Sequence, residues 1–167
     1  MRILSLYHGG EKPVIAPEVF SPKAIRSLDF GSGFYTTTSI VQARKWVNLR
    51  IRQHVYQSGC VSRYTIDVDA IYAADLKMRI FNGPEEAWFD FIIANRHTIG
   101  FEHDFDLVKG PVANDNVYET LTLFEDSLIS KQEAIGRLKT YTLVDQILFH
   151  TQKALEFLRF EDSEVVE

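Results

Sequence analysis

The chain has 167 residues, of which 46% are hydrophobic and 25% charged, and its formal net charge is −5. These values are typical of one globular domain and exclude disordered, collagen-like and coiled-coil proteins. A single cysteine, Cys60, excludes an internal disulfide and any zinc site with two or more cysteine ligands. The acidic excess argues against a broad nucleic-acid-binding surface. No apolar run approaches a membrane span and residues 1–7 lack a signal-peptide pattern, so we expect a cytoplasmic protein.

The first half of the chain predicts three strands and one helix. Strand patterns cover residues 2–7, 34–38 and 61–68, and a polar, proline-bearing stretch over residues 9–29 predicts a long loop. Ser39 is predicted to cap a helix that ends near Gln57. The apolar stripe of that helix consists of Ala43, Trp46, Val47, Ile51 and Val55.

The second half predicts helices joined by short strands. Asn82-x-x-Glu85 is a capping-box pattern, with Pro84 in the first turn, and it predicts a helix with an apolar face. Trp88, Phe91 and Ile92 are expected on that face, together with the polar Asn95. Further strands are expected over residues 106–112 and 146–150, and further helices over residues 114–124, 130–139 and after Thr151.

The order of these elements bears on the fold class. Strands and helices do not alternate regularly, so an α+β fold is favoured over a doubly wound parallel sheet. We expect one domain over residues 1–160, and we expect the acidic tail over residues 161–167 to be frayed.

Common site motifs are missing from the sequence. Gly31-x-Gly33 lacks the end of a phosphate-binding loop and the third glycine of a dinucleotide fingerprint. His97 and His103 are six residues apart without cysteines nearby, so no metal site is predicted. Three segments remain, each with a polar residue on or beside an apolar strand: residues 6–9, 29–37 and 145–150.

Together these segments resemble the ADP-ribosyltransferase superfamily, and the whole chain resembles the bacterial domain-of-unknown-function 3990 family within it. The resemblance rests on LYHGG at 6–10, DFGSGFYTT at 29–37, QARKW at 42–46, WFDFIIANR at 88–96, DFDLVKGPVAND at 104–115 and QILFHTQKAL at 146–155. It implies an α+β fold with split β-sheets around an NAD cleft and flanking helices. NAD would be the ADP-ribose donor, with no metal, and such proteins are suspected toxins paired with an antitoxin protein.

The resemblance also implies roles for individual residues. His8 would donate a hydrogen bond to a ribose hydroxyl of NAD, the Gly9 backbone would hold the nicotinamide amide, and Tyr35 would stack on the nicotinamide ring. Arg96 would be available for the pyrophosphate charge. The other cofactor-binding positions that it implies are Gly33, Phe34, Thr37, Asn95 and His150.

The third catalytic position departs from the superfamily, because Gln146 stands where a glutamate is usual. Glutamine retains a hydrogen bond to a ribose hydroxyl, but it has no charge and cannot act as a general base. The catalytic set is therefore His8, Tyr35 and Gln146, acting by positioning alone or with a base from His150 or Asp115.

Three functions stay open on the sequence. The chain is an NAD-dependent glycosyltransferase that passes ADP-ribose to a macromolecule, a catalytically silent NAD-binding module, or a protein-interaction module that binds an antitoxin. The identity of the ADP-ribose acceptor is not encoded in any motif of the sequence.

Overall fold

Seven strands form one hydrogen-bonded sheet in the computed structural model, which describes residues 1–19, 28–98, 100–111, 115–141 and 143–167. The sheet has the order β4-β5-β6-β2-β1-β3-β7, and only the β4–β5 pair is parallel. The strands are β1 (Ile3–Gly10), β2 (Phe34–Thr37), β3 (Gly59–Asp67), β4 (Met78–Ile80), β5 (Leu107–Pro111), β6 (Asp145–Phe149) and β7 (Arg159–Val166).

Helices cover both faces of this sheet, so the expected α+β class is confirmed. The helices in the described residues are α1 (Ile40–Arg52), α2 (Val68–Ala73), α3 (Glu86–His97), α4 (Asp115–Glu125), α5 (Lys131–Leu138) and α6 (Gln152–Leu155). One face buries a core with residues from α2 and α6, and the other face buries a core under α3, α4 and α5 and a smaller one under α1. None of these helices is long and apolar enough to cross a membrane.

The sheet consists of two halves that meet at one residue pair. β1 pairs with β3 from Ile3 to Gly10, and β2 pairs with β6 along its whole length. Between β1 and β2, however, the structure has only the pair Tyr7–Thr37. We call the diverging ends of β1 and β2 beyond this pair the split. The expected pair of separate sheets is thus one sheet with a narrow joint in the described residues.

Strand β1 runs three residues further than its sequence pattern predicts. A Cβ atom on Gly9 would lie 2.8 Å from the carbonyl oxygen of Ala43 and from a methyl group of Val47. The glycine therefore lets helix α1 pack directly on the strand, and it does not end the strand. Residues 9 and 10, assigned to the loop from sequence, belong to β1, and much of that loop lies outside the described residues.

Two helix predictions also need correction. Helix α1 begins after the predicted cap, Ser39, whose side chain accepts a hydrogen bond from the Gln42 N–H, but it ends at Arg52. Two members of the predicted stripe, Trp46 and Val55, are 41% and 48% exposed. Helix α3 begins at Glu86 without a side-chain cap, so the capping box predicted at Asn82 is not formed.

The acidic C-terminus was expected to be frayed, and this expectation is wrong. Residues from Arg159 to Val166 form β7, which pairs with β3 and covers the edge that β3 would otherwise expose. The ring of Phe160 packs edge-on against the ring of buried Tyr64, with 5.8 Å between their centroids. Residues from Arg159 to Val166 thus form an edge strand, in which Phe160 packs on the core of α2 and α6 and Val166 packs on the core under α1.

Replacement of Phe160 by alanine tests this strand. Because the substitution removes a partly buried ring from the core, we expect the free energy of unfolding in urea to fall by about 2 kcal/mol. The matched control is Val165→Ala on the same strand, where the side chain is 74% exposed and the change should lie within about 0.5 kcal/mol. Equal stability of the Phe160 variant and the native protein would mean that the tail does not pack.

Candidate functional site

His8 and Tyr35 lie on neighbouring strands at the split. Nδ1 of His8 is 2.7 Å from the carbonyl oxygen of Tyr35, so Nδ1–H donates a hydrogen bond to β2. The His8 ring also stacks on the ring of Phe34, with 4.3 Å between centroids. Burial lowers the pKa of His8, although the bond to the Tyr35 carbonyl offsets part of this effect. The imidazole is therefore neutral at pH 7, and Nε2 carries the lone pair.

The side chains of His8 and Tyr35 lie on opposite faces of the sheet. Side chains alternate along a strand, and the His8 ring lies with Phe34 on the face of the core under α2 and α6. The Tyr35 ring packs on the core under α3, α4 and α5. Gln146 shares the face of Tyr35, because Tyr35 pairs with Leu148 of that core, two residues along β6 from Gln146. The structure thus joins His8 to Tyr35 through the backbone, and brings Tyr35 and Gln146 onto one surface.

A turn before β2 holds the Tyr35 ring in place. The Tyr35 hydroxyl donates to the carbonyl oxygen of Gly31 at 2.5 Å and accepts from the Phe30 N–H at 3.0 Å. Gly31 and Gly33 have φ angles of +88° and +141°, which favour glycine. Burial raises the pKa of Tyr35 well above its usual value, so the phenol stays protonated.

Two histidine side chains donate hydrogen bonds to carbonyl oxygens of the same turn. His103 donates from Nε2 to the carbonyl oxygen of Phe30 at 2.7 Å, and His150 donates from Nδ1 to that of Ser32 at 2.5 Å. Their ring centroids are 4.1 Å apart. Burial lowers the pKa of His103. His150, expected to bind NAD or to supply a base, thus donates from Nδ1 to the turn before β2 and helps to fix it.

A buried polar cluster lies on the face of Tyr35 and Gln146. Asp29 is only 8% exposed, and its carboxylate lies near the side chains of Gln146 and Arg96. Nη1 of Arg96 lies 3.6 Å from Oδ1 of Asp29, and Nε of Arg96 lies 4.0 Å from Oε1 of Glu125. Its guanidinium also stacks over the ring of Tyr118 at 4.9 Å. Arg96, expected to be available for a pyrophosphate, thus lies beside two carboxylates, while its buried Nη1 has no hydrogen-bond partner among the described residues.

The environment of Asp29 changes its acidity. Burial raises the pKa of the Asp29 carboxyl to about 6, and the opposing influences of the Arg96 charge and the Gln146 hydrogen bond are smaller. A buried carboxyl that titrates near neutral pH is typical of functional sites, although structural ion-pair networks also produce it.

The remaining predicted residues have structural partners. Thr37 donates from its hydroxyl to the carbonyl oxygen of Asp145, and Asn95 donates from Nδ2 to that of Phe91, one turn back on α3. A Cβ atom on Gly33 would lie 2.4 Å from the Phe149 carbonyl oxygen, so this glycine permits the close approach of β6. The side chain of Asp115, named as a possible base, lies outside the described residues.

Sequence reasoning gave no role to Asp29 or His103. Asp29 heads the segment DFGSGFYTT, and this position was the signal that could have found it, because a carboxylate beside a glycine-rich turn tends to meet a polar partner. His103 is distant in sequence from its partner His150, so no local pattern could have found it. Within the described ranges, no group of three or more histidine, cysteine, aspartate or glutamate side chains is arranged to hold a metal ion.

Comparison with protein families supplies one match. The family model described as a protein of unknown function (DUF3990) covers residues 4–160. The chain belongs to the DUF3990 family. Comparisons with curated proteins and with solved structures find no match. The DUF3990 match includes both strands of the split and the whole polar cluster around Asp29, and it reaches the start of β7.

The raised pKa of Asp29 predicts a pH dependence of stability. An unfolded aspartate has a pKa near 3.8 and the native carboxyl titrates near 6, so the native state binds more protons between these values. The contribution of Asp29 to the free energy of unfolding is thus fully present below pH 4. It falls by about 3 kcal/mol as the pH rises to 6. We expect the Asp29→Asn variant not to show this fall in the free energy of unfolding when urea unfolding curves are measured between pH 4 and 6.

The control for this prediction is an aspartate whose pKa is lowered instead of raised. The pKa of exposed Asp162 is lowered by its hydrogen bond to Arg63. Asp162→Asn should therefore leave the loss between pH 4 and 6 in place. If the Asp29→Asn variant and the native protein lose the same stability over this range, the carboxyl of Asp29 does not have a raised pKa.

Proposed function

We propose that this DUF3990 protein is an NAD-dependent ADP-ribosyltransferase that binds NAD at the split and transfers ADP-ribose to a macromolecular target. The observation that carries the proposal is the joint of the sheet, where β1 and β2 share only the pair Tyr7–Thr37 among the described residues and the His8 ring donates across the split to the Tyr35 carbonyl. We further propose that it acts in the bacterial cytoplasm as the toxin of a toxin–antitoxin pair, with a cognate antitoxin protein as partner.

The diverging strands offer backbone groups to a ligand. Beyond Tyr7–Thr37, the described parts of β1 and β2 do not pair with each other, so the facing edges can present N–H and C=O groups. A nicotinamide carboxamide has two donors and one acceptor, which suit such an edge. In this role the backbone of Gly9 and Gly10 would hold the carboxamide.

Tyr35 supports the proposal as a rigid stacking surface. The residue is partly buried, and its hydroxyl is held by the turn through Phe30 and Gly31. A ring that is already fixed loses little conformational entropy when a flat heteroaromatic ring stacks on it.

His8 takes a different role from the one that the resemblance implies. Because Nδ1–H is bound to the Tyr35 carbonyl and the ring is neutral, Nε2 is an acceptor and not a donor. We therefore assign it to accept a hydrogen bond from a ribose hydroxyl of NAD.

A silent NAD-binding module is the second candidate, and one observation favours it. Gln146 has no charge, and Nε2 of its amide lies 3.5 Å from the carbonyl oxygen of Pro111. Such a module would bind NAD at the split without cleaving it.

Binding is tested by the shift in melting temperature that NAD causes, since a ligand of the native state stabilises it. We expect millimolar NAD to raise the melting temperature of the native protein and of Tyr35→Phe, which keeps the aromatic ring. Tyr35→Leu should lose the shift, because it removes the stacking face at similar volume. Tyr72→Leu, at an exposed aromatic on α2, is the control that should keep it.

Activity is tested with NAD labelled in the adenylate and a bacterial lysate as the source of acceptors. Release of nicotinamide together with transfer of label to a macromolecule would support the transferase. A melting shift without nicotinamide release would instead favour the silent module. Neither a shift nor release at millimolar NAD would contradict both.

A further inference from the structure

Helix α1 carries a concentration of positive charge in an acidic chain. Between Asp29 and Asp67 the sequence has no aspartate or glutamate, although the formal net charge of the whole chain is −5. The lysine and arginine residues of this stretch are Arg44, Lys45, Arg50, Arg52 and Arg63. The acidic excess of the protein is therefore carried by other segments, and α1 is a local exception to it.

Three of the four cations of α1 have no carboxylate partner in the described part of the chain. Arg44 donates to both oxygens of the Glu164 carboxylate in β7, at 2.5 and 3.0 Å. No ion pair between described residues includes Lys45, Arg50 or Arg52. Lys45 and Arg52 are exposed, and their spacing of seven residues places them on the same side of the helix. Their charges are therefore available to a partner.

An exposed tryptophan lies among these charges. Trp46 is 41% exposed, and the Arg50 guanidinium stacks over its ring at 5.1 Å from the centroid. Tyr56, which follows the helix, adds a second ring at 5.8 Å from the same guanidinium. We call Lys45, Trp46, Arg50 and Arg52 the α1 surface. Such a set suits single-stranded nucleic acid, because bases stack on aromatic rings and phosphates pair with lysine and arginine.

A cavity beside the α1 surface has a polar lining. Its volume is about 340 Å³, and Asn48, Ile51 and Arg52 line it. The amide of Asn48 and the guanidinium of Arg52 are both hydrogen-bond donors, which phosphate oxygens accept. A protein segment that docks on a helix is usually held by an apolar groove. The lining therefore favours a phosphate-bearing strand over an acidic peptide.

The α1 surface also borders the split. A Cβ atom on Gly9 would lie 3.3 Å from Cδ1 of Trp46, so the indole ring lies against β1 within the split. At its other end, α1 begins at Ile40, three positions after β2 ends at Thr37. A strand of nucleic acid on the α1 surface would therefore pass next to the proposed NAD site.

We propose that the α1 surface binds a single strand of nucleic acid, and that this strand is the ADP-ribose acceptor. The acceptor role rests on the proposed function. In the transfer, the bond between ribose C1′ and the nicotinamide nitrogen breaks and its electrons stay with that nitrogen, so neutral nicotinamide leaves. A nucleophilic oxygen or nitrogen atom of the nucleic acid forms the new bond to C1′, and its proton passes to solvent.

Binding is tested first without NAD, by tryptophan fluorescence. Trp46 and Trp88 are the two tryptophans of the chain, and Trp88 is fully buried, so a stacked base should quench Trp46. We expect RNA or DNA single strands of about 12 nucleotides to quench the emission more than a duplex of the same sequence. The two kinds of strand, compared separately, show which one is preferred. Absence of quenching by both would overturn the inference.

The salt dependence of binding tests the cations. With three phosphate contacts, the logarithm of the binding constant should fall against the logarithm of the salt concentration with a slope of about −2. Lys45→Gln with Arg52→Gln should reduce the magnitude of this slope by about 1.4. The matched control is Lys139→Gln with Arg159→Gln, which removes the same charge at exposed positions elsewhere and should keep the native slope. Equal losses in both double variants would overturn the inference.

The stacking role of Trp46 is tested by the fluorescence anisotropy of a labelled strand. Trp46→Leu should weaken binding about tenfold because it removes the aromatic face, and Trp46→Phe should retain most of the affinity. Since the side chain is 41% exposed, both variants should fold. Native affinity in Trp46→Leu would contradict the stacking role and overturn the assignment of this surface.

The acceptor role is tested with labelled NAD and the preferred strand. We expect label on the strand, and we expect Lys45→Gln with Arg52→Gln to lower this transfer about tenfold while the melting shift caused by NAD remains. Nicotinamide release with label on protein alone would overturn the inference and leave the proposed function standing. A native protein that releases no nicotinamide with any acceptor would overturn the proposed function and the acceptor role together, whereas strand binding is decided separately by the quenching.

An acidic protein partner makes a different forecast for the α1 surface. Polyglutamate at an equal concentration of charge would then quench Trp46 at least as strongly as the single strand, because charge alone would govern binding. This result would overturn the inference and favour an acidic protein segment as the partner. Weak quenching by polyglutamate, together with strong quenching by the single strand, would support nucleic acid.

Discussion

The structure depends on a sheet that is held together at one residue pair. The ladder of β1 with β3 is long, and so is the ladder of β2 with β6, but β1 and β2 meet only at Tyr7 and Thr37. Elsewhere along this joint a side chain replaces the backbone ladder, since the imidazole of His8 donates to the Tyr35 carbonyl. Unpaired backbone N–H and C=O groups at a strand edge cost free energy unless another group forms hydrogen bonds with them. A polar ligand is one such partner.

The second constraint is a set of charges beneath this joint. Asp29 and Gln146 are buried on the sheet face that carries the core under α3, α4 and α5, and Arg96 of α3 lies 3.6 Å from Asp29. Burial disfavours the ionised carboxylate, and one arginine and one amide only partly offset this, so the pKa of Asp29 rises to about 6. Well-packed apolar residues at these positions would in general be at least as stable. A contribution to stability alone therefore does not explain why polar groups lie here.

Local sequence patterns predicted the elements whose stability is local. The β-branched and aromatic run of β2 and the serine cap at Ser39 are formed as predicted, because strand propensity and a cap depend on residues a few positions apart. The patterns failed where a distant partner decides the outcome. Gly9 reads as a strand end, yet α1 packs on it, and the acidic tail reads as frayed, yet β3 supplies an edge for it.

The candidate site divides in the same way. The sequence by itself determined the α+β class and the motif residues His8, Tyr35 and Gln146, since each belongs to a short segment that can be recognised without its surroundings. Only the tertiary structure decided that the His8 ring lies opposite Tyr35, that Arg96 lies beside two carboxylates, and that Asp29 is buried near Gln146. Asp29 and Gln146 are more than a hundred residues apart, and they come close because β6 pairs with β2 and brings the turn before β2 against it. Strand register, and not local sequence, therefore determines which polar groups share this buried face.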